Sequence, residues 1–84
     1  MNNINTSSRE SEEYILGILT KREHQVFERL IKNMTTKDIA NELGISEKTI
    51  RNHISNVMQK LGVKGRTGAV IELLKLNELS IENH

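Results

Sequence analysis

The sequence predicts an all-α fold of four helices, in which the second and third form a helix-turn-helix. Proline is absent from the 84 residues, and the β-branched residues show none of the apolar–polar alternation that is typical of strands. Apolar residues recur instead at intervals of three and four, as on the buried side of a helix. A chain of this length is expected to form one domain.

The first helix is predicted to follow Thr20. Its hydroxyl can accept the backbone N–H of Glu23, and the Glu23 carboxylate can accept the N–H of Thr20, which is the arrangement of a capping box. The helix is expected to end at Asn33 or Met34. Its apolar face consists of Val26, Phe27, Leu30 and Ile31.

Residues 35–61 are predicted to form the helix-turn-helix. Thr35 is suited to cap the second helix, Gly44 to end it in the left-handed conformation, and Ser46 to cap the third helix. Gly62 would end the third helix. One side of that helix carries the apolar residues Ile50, Ile54, Val57, Met58 and Leu61, whereas polar residues occupy the opposite side.

The fourth helix, predicted over residues 66–78, is apolar over an arc of roughly 200°, which is wider than burial against one core requires. The same helix of a second copy could cover the surplus, and burial beneath an N-terminal segment, residues 11–19, is the alternative. We expect a flexible tail over residues 1–18 that contains this segment as a short helix or arm, the domain over 19–80, and a C-terminal tail over 81–84. The apolar residues of the helix are Ala69, Val70, Ile71, Leu73, Leu74 and Leu76.

Positive charge is concentrated in one part of the chain. The formal net charge is only +1. Residues 46–66 nevertheless carry Lys48, Arg51, Lys60, Lys64 and Arg66 against the single acid Glu47. A basic segment in a nearly neutral domain indicates a polyanionic partner. An ordinary solvated helix face is the alternative if charge is considered alone.

Several functional classes are disfavoured by composition. The chain has no cysteine, and His24, His53 and His84 lack the spacing of metal ligands. We therefore expect no metal site, no catalytic residues and no cofactor, and an enzyme is the least favoured class. No apolar run approaches the ~20 residues that a membrane helix needs. A cytoplasmic protein without membrane contact is expected.

The motifs of the chain resemble the DNA-binding domain of LuxR/FixJ-type transcription regulators over residues 19–79. Within that family, residues 48–56 and 58–66 are particularly similar to a stand-alone regulator of late sporulation genes. The matching motifs are Leu-Thr-Lys-Arg-Glu at 19–23, Thr-Lys-Asp-Ile-Ala at 36–40, Ile-Ser-Glu-Lys-Thr-Ile-Arg-Asn-His-Ile at 45–54, Lys-Leu-Gly-Val at 60–63 and Arg-Thr-Gly-Ala-Val at 66–70.

The resemblance implies a homodimer that binds double-stranded DNA with its third helix in the major groove. Arg51, Asn52 and Ser55 match the family positions that contact base edges. Arginine can form two hydrogen bonds with guanine, and asparagine can form two with adenine. The predicted phosphate contacts are Thr36, Lys37, Ser46, Lys48, Thr49, His53, Asn56 and Lys60. The predicted dimer contacts are Thr67, Val70, Ile71 and Leu74.

Most members of the family carry a sensor domain before the DNA-binding domain. Only some eighteen residues precede the motif here, so we expect control by the amount of protein and no small-molecule ligand. RNA polymerase is a further candidate partner. Two alternatives stay open at this point: a promoter-recognition module of the sigma-factor type, and a helical adaptor that binds another protein.

Overall fold

The computed structural model describes residues 14–76 and Leu79. Of the predicted tail over residues 1–18, residues 1–13 lie outside the described part of the chain and residues 14–18 lie within it. The predicted tail over 81–84 lies wholly outside it. Within the described residues, none of the helices is long and apolar enough to cross a membrane.

Four helices follow a short hairpin. Strands β1 (Tyr14–Leu16) and β2 (Leu19–Thr20) pair antiparallel. The helices confirm the predicted all-α fold with a helix-turn-helix at its centre. They are α1 (Lys21–Leu30), α2 (Thr36–Leu43), α3 (Glu47–Leu61) and α4 (Arg66–Lys75).

The hairpin occupies the segment that was expected to be a helix or an extended arm. Gly17 and Ile18 form its two-residue turn, and Gly17 has a φ of 75°. Glycine takes this left-handed conformation without a steric penalty, which permits the tight reversal. The extended alternative was therefore the better expectation. Strands of three and two residues are too short to show a periodic pattern in sequence.

The predicted helix starts are confirmed in detail. Both hydrogen bonds of the capping box between Thr20 and Glu23 are present, each at 3.0 Å. The Thr35 hydroxyl accepts the N–H of Asp38 at 3.0 Å. Gly44 ends α2 with a φ of 71°. These local interactions fix the boundaries of the helix-turn-helix.

Helix α1 ends at Leu30, three or four residues before the predicted end at Asn33 or Met34. Asn33 takes a left-handed conformation with a φ of 68°. Its N–H donates to the Leu30 carbonyl at 2.9 Å, and the Met34 N–H donates to the Arg29 carbonyl at 3.1 Å. This pair of hydrogen bonds is a Schellman motif, in which asparagine replaces the usual glycine.

Helix α4 ends at Lys75, so the predicted end at position 78 is wrong. Leu76, which was expected on the apolar side, follows the helix and is 51% exposed. Leu79 is buried instead, and its N–H donates to the Leu73 carbonyl at 3.4 Å. At this end of the domain the core therefore contains Leu79 and not Leu76.

Helix α3 lies at the centre of the packing and contacts α1, α2 and α4. Its Ile50, Ile54 and Val57 are buried, as the apolar pattern predicted. The remaining buried apolar residues are Leu19, Val26, Phe27, Ile39, Ala40, Ala69, Leu73 and Leu79.

One ion pair joins distant parts of this core. The ammonium group of Lys60, in the last turn of α3, donates to Glu23 Oε1 and, at 3.1 Å, to the carbonyl oxygen of Ile18. The Glu23 side chain is only 4% exposed. Because the same carboxylate oxygen caps α1 through Thr20, this contact ties α3 to both α1 and the hairpin turn.

Replacing Lys60 by methionine should lower the free energy of unfolding by about 2–4 kcal/mol, because it leaves a buried carboxylate without its cation. Urea denaturation followed by circular dichroism would measure the change. Lys64→Met, at an exposed position of the α3–α4 connection, is the matched control and should change stability by less than about 0.5 kcal/mol. Equal effects of the two substitutions would contradict the structural role of the ion pair.

Candidate nucleic-acid interface

The outer face of α3 presents the three predicted base contacts together. Arg51, Asn52 and Ser55 are exposed, while Ile50 and Ile54 beside them are buried. The helix therefore separates into a side fixed in the core and a polar side available to a partner. Arginine, asparagine and serine together can donate and accept hydrogen bonds at base edges.

The predicted phosphate contacts at the starts of α2 and α3 include three hydroxyl residues that have partners within the domain. The Thr36 hydroxyl donates to Glu47 Oε2 at 3.1 Å. Ser46 Oγ accepts the Thr49 N–H at 3.1 Å and lies 2.9 Å from Thr49 Oγ1. These contacts hold the start of α2 against the start of α3 and cap the latter helix.

Of the other predicted phosphate contacts, one lies in the first turn of α2 and three lie along the first ten residues of α3. Lys37 in the first turn of α2 and Lys48 in the first turn of α3 are exposed, as is Asn56. His53 is half-buried. The two lysines place positive charge on both helices of the motif.

Lys60 lies in the last turn of α3. It lies twelve residues after Lys48, about 18 Å along the helix axis, and its ammonium group contacts Glu23 and Ile18. The structure thus gives Lys60 an internal role that the sequence did not reveal. Its assignment as a phosphate contact stays a prediction.

Arg29 of α1 helps to position α2. Its Nη1 donates to the Gln25 carbonyl at 2.9 Å, and its Nε lies 3.3 Å from Glu42 Oε2 on α2. That Nε is buried and lacks a hydrogen bond of good geometry, so the contact with Glu42 is electrostatic. This arginine holds two helices together instead of facing a partner.

An apolar groove of about 410 Å³ lies between the end of α1 and the outer side of α4. Three predicted dimer contacts, Thr67, Val70 and Leu74, line it together with Leu30 and Met34. The fourth, Ile71, is 49% exposed. The surplus apolar surface that the sequence indicated on this helix is therefore real, although it is distributed between a groove and an exposed side chain.

A smaller cleft of about 290 Å³ runs from α3 to the α3–α4 connection. Arg51 and Ser55 line its α3 wall, and Lys64, Gly65 and Arg66 line the other wall. The last three residues were not among the predicted contacts. The concentration of positive charge over residues 46–66 was the signal that could have identified Lys64 and Arg66.

The described residues contain no group of three or more His, Cys, Asp or Glu side chains that could hold a metal ion. The side chains gathered on α3 are instead hydrogen-bonding and cationic groups. Their arrangement suits binding of a large polyanion better than chemistry on a small substrate.

Comparison with known families identifies the same region of the chain. Residues 17–73 match the family model described as bacterial regulatory proteins, luxR family. This segment contains α1, α2 and α3 and most of α4.

Individual relatives agree with the family match. The spore germination protein GerE of Bacillus subtilis (strain 168) is 67% identical over 64 residues, which cover 76% of this chain and 86% of GerE. The transcriptional regulatory protein DegU of Brevibacillus brevis is 45% identical over 60 residues, or 71% of this chain but only 25% of DegU. UhpA of Escherichia coli (strain K12) is 58% identical over 45 residues, covering 54% of this chain and 23% of UhpA.

A solved structure of the transcription factor GerE has a similar fold. The comparison gives a TM-score of 0.75 at 57% sequence identity and covers 77% of this chain and 97% of that one. The arrangement of helices is therefore shared as well as the sequence motifs.

Proposed function

The chain belongs to the luxR family of bacterial regulatory proteins, and we propose that it regulates transcription as a homodimer whose α3 enters the major groove. The similarity to GerE in sequence and in fold identifies the chain as a GerE-like DNA-binding regulator, which is what the sequence motifs predicted. The observation that carries the finer proposal is the exposed polar face of α3, which lies opposite a buried apolar face.

Recognition of sequence depends on Arg51, Asn52 and Ser55 in this proposal. Arg51 can donate two hydrogen bonds to O6 and N7 of guanine, and Asn52 can pair with N6 and N7 of adenine. Each such bidentate contact contributes ~1–3 kcal/mol of discrimination against a wrong base. The buried side of α3 supports this function because it holds the helix in one orientation.

Affinity depends on contacts with the DNA backbone. Lys37 and Lys48 are exposed at the starts of α2 and α3, where they can reach phosphates on either side of the entering helix. Such contacts position the protein and make its affinity depend on salt. The N-terminus of α3 adds backbone donors near Ser46, which favours an anion there.

The dimer is proposed to form through α4. The groove between α1 and α4 and the exposed Ile71 provide adjoining apolar surface, and a second copy of α4 would remove it from water. A two-fold axis relating the two copies would present two α3 helices to related half-sites. Thr67, Val70 and Leu74 line the groove at this proposed interface.

The similarity to GerE also supports a role in sporulation. We place the regulator in the cytoplasm with the DNA it binds, and RNA polymerase is the proposed further partner of the bound dimer. The relatives compared above are transcription regulators, which agrees with the expectation that the chain is not an enzyme.

In vitro selection of bound duplexes at two salt concentrations should return a motif of two related half-sites. Arg51→Ala should then relax the preference at one position of each half-site, at a cost of ~1–3 kcal/mol for the best site. Binding would be measured against the selected duplex and against single-base variants of it.

Lys48→Ala is the matched control for that experiment. It should weaken binding to all duplexes by a similar factor, because a phosphate contact carries no base preference. An unchanged preference profile for Arg51→Ala would show that Arg51 does not contact bases. Specific binding only in the presence of RNA polymerase would favour the promoter-recognition alternative.

Ile71→Asp should shift the sedimenting species from dimer to monomer, because it places a charge in a proposed apolar interface. The far-ultraviolet circular dichroism should stay unchanged, since the side chain is half-exposed and lies outside the core. Asn41→Asp, an exposed position on α2, adds the same charge elsewhere and should leave the mass unchanged. A mass that is the same for the wild type and Ile71→Asp would refute this interface.

Expression of the chain in a Bacillus subtilis strain that lacks GerE should restore spore germination. The expectation follows from the 67% identity and from the exposed Arg51, Asn52 and Ser55 on α3. The variant Arg51→Ala should restore it much less, which separates DNA recognition from mere presence of the protein. If the unaltered chain does not restore germination when it is present at the level at which GerE normally occurs, the two proteins do not regulate the same set of genes.

A further inference from the structure

The cleft beside α3 has a feature that the predicted contacts do not explain. Its walls carry the three cationic residues Arg51, Lys64 and Arg66, and none of the described residues that line it is acidic. Lys64 and Arg66 are exposed. Like charges gathered around one cleft repel each other, so an anion placed between them would be stabilised.

The cleft is continuous with the proposed base-contacting face. Arg51, Ser55 and Met58 line one wall at intervals of four and three residues, so they follow one edge of α3 for about 10 Å. The opposite wall is the connection from α3 to α4. A helix in the ~12 Å major groove has a sugar-phosphate backbone along each edge, and with α3 in that groove the cleft would lie along one of those edges.

On this basis we propose that Lys64 and Arg66 hold a phosphate of the DNA backbone beside the groove that α3 enters. The inference rests on the proposed function and adds a contact to it that lies outside the helix-turn-helix. Lys64 and Arg66 would supply charge-assisted donors, and arginine can contact a phosphate with two parallel hydrogen bonds. Arg51 remains directed to bases at the mouth of the same cleft.

The position of the cleft distinguishes this site from the contacts near Ser46. Gly65 is the N-cap residue of α4 and provides no side-chain cap, so the backbone donors of the first turn add to the cations already present. A phosphate in the cleft would be bound by residues that follow α3. The phosphates proposed for Lys37 and Lys48 would be different ones, bound before α3 or at its start. The footprint of one subunit would therefore extend along both ends of its recognition helix.

The test compares the wild type with the double variant Lys64→Gln, Arg66→Gln on the selected duplex. The slope of log affinity against log salt concentration should become shallower by about one per subunit for a lost phosphate contact. The selected motif should stay the same. Ethylation interference should identify one phosphate per half-site whose modification weakens the wild type but not the double variant.

Two further variants make the result decisive. Lys75→Gln removes one charge about 13 Å from Arg66 along α4 and should leave the slope and the interference pattern unchanged. Lys64→Gln alone tests the cleft without altering Arg66, which also lines the apolar groove. Sedimentation and thermal melting would verify that each variant keeps the mass and fold of the wild type.

The outcomes separate the two proposals. Salt-dependent, specific binding by the wild type with an identical slope and interference pattern in the double variant and in Lys64→Gln would overturn the phosphate contact and leave the proposed function intact. An absence of duplex binding by the wild type would overturn both. A shallower slope with loss of the same phosphate in both variants would support the contact.

Discussion

The ion pair between Glu23 and Lys60 is the constraint on which the geometry of the domain depends. The Glu23 side chain is almost wholly buried, and its carboxylate both accepts the Lys60 ammonium and caps α1 at Thr20. Lys60 also donates to the carbonyl of Ile18 in the hairpin turn. A buried charge is tolerated when it is paired and hydrogen-bonded. The orientation of α3 is thereby coupled to the start of α1, because movement of the last turn of α3 would separate these charges.

This coupling gives the two ends of α3 different surroundings. Near its N-terminus, Lys48, Arg51 and Asn52 are exposed and face away from the core. Near its C-terminus, Lys60 is directed inward to a buried acid. Similar basic residues along one helix therefore have different environments, which depend on whether an acid of another helix lies opposite. A binding helix with one end fixed in this way loses little conformational freedom when it meets its partner, so less of the binding free energy is lost to ordering.

The parts of the structure that depend on neighbouring residues could be predicted from the sequence. The caps at Thr20 and Ser46 and the left-handed Gly44 involve residues four or fewer positions apart, and their chemistry is specific to those positions. The pairing of Glu23 with Lys60 joins residues 37 positions apart. In the sequence, Lys60 is one of several cations in and near α3. Nothing in the sequence distinguishes it as the partner of Glu23, because only the packing of the helices brings the two residues together. The cleft at Lys64 and Arg66 was missed for the same reason, since it exists only where the α3–α4 connection returns along α3.

Arg66 lies at both of the surfaces proposed for function. It lines the apolar groove between α1 and α4 and also the cationic cleft beside α3. In the proposed dimer, the first turn of α4 would lie next to the partner subunit on one side and next to a DNA phosphate on the other. Pairing of subunits would then limit the positions available to Arg66, and the bound phosphate would favour those positions that the dimer allows. Two sites that order the same side chain stabilise each other, because the entropy lost on ordering it is counted once. The start of α4 is thus the part of the domain where dimerisation and DNA binding would be energetically coupled.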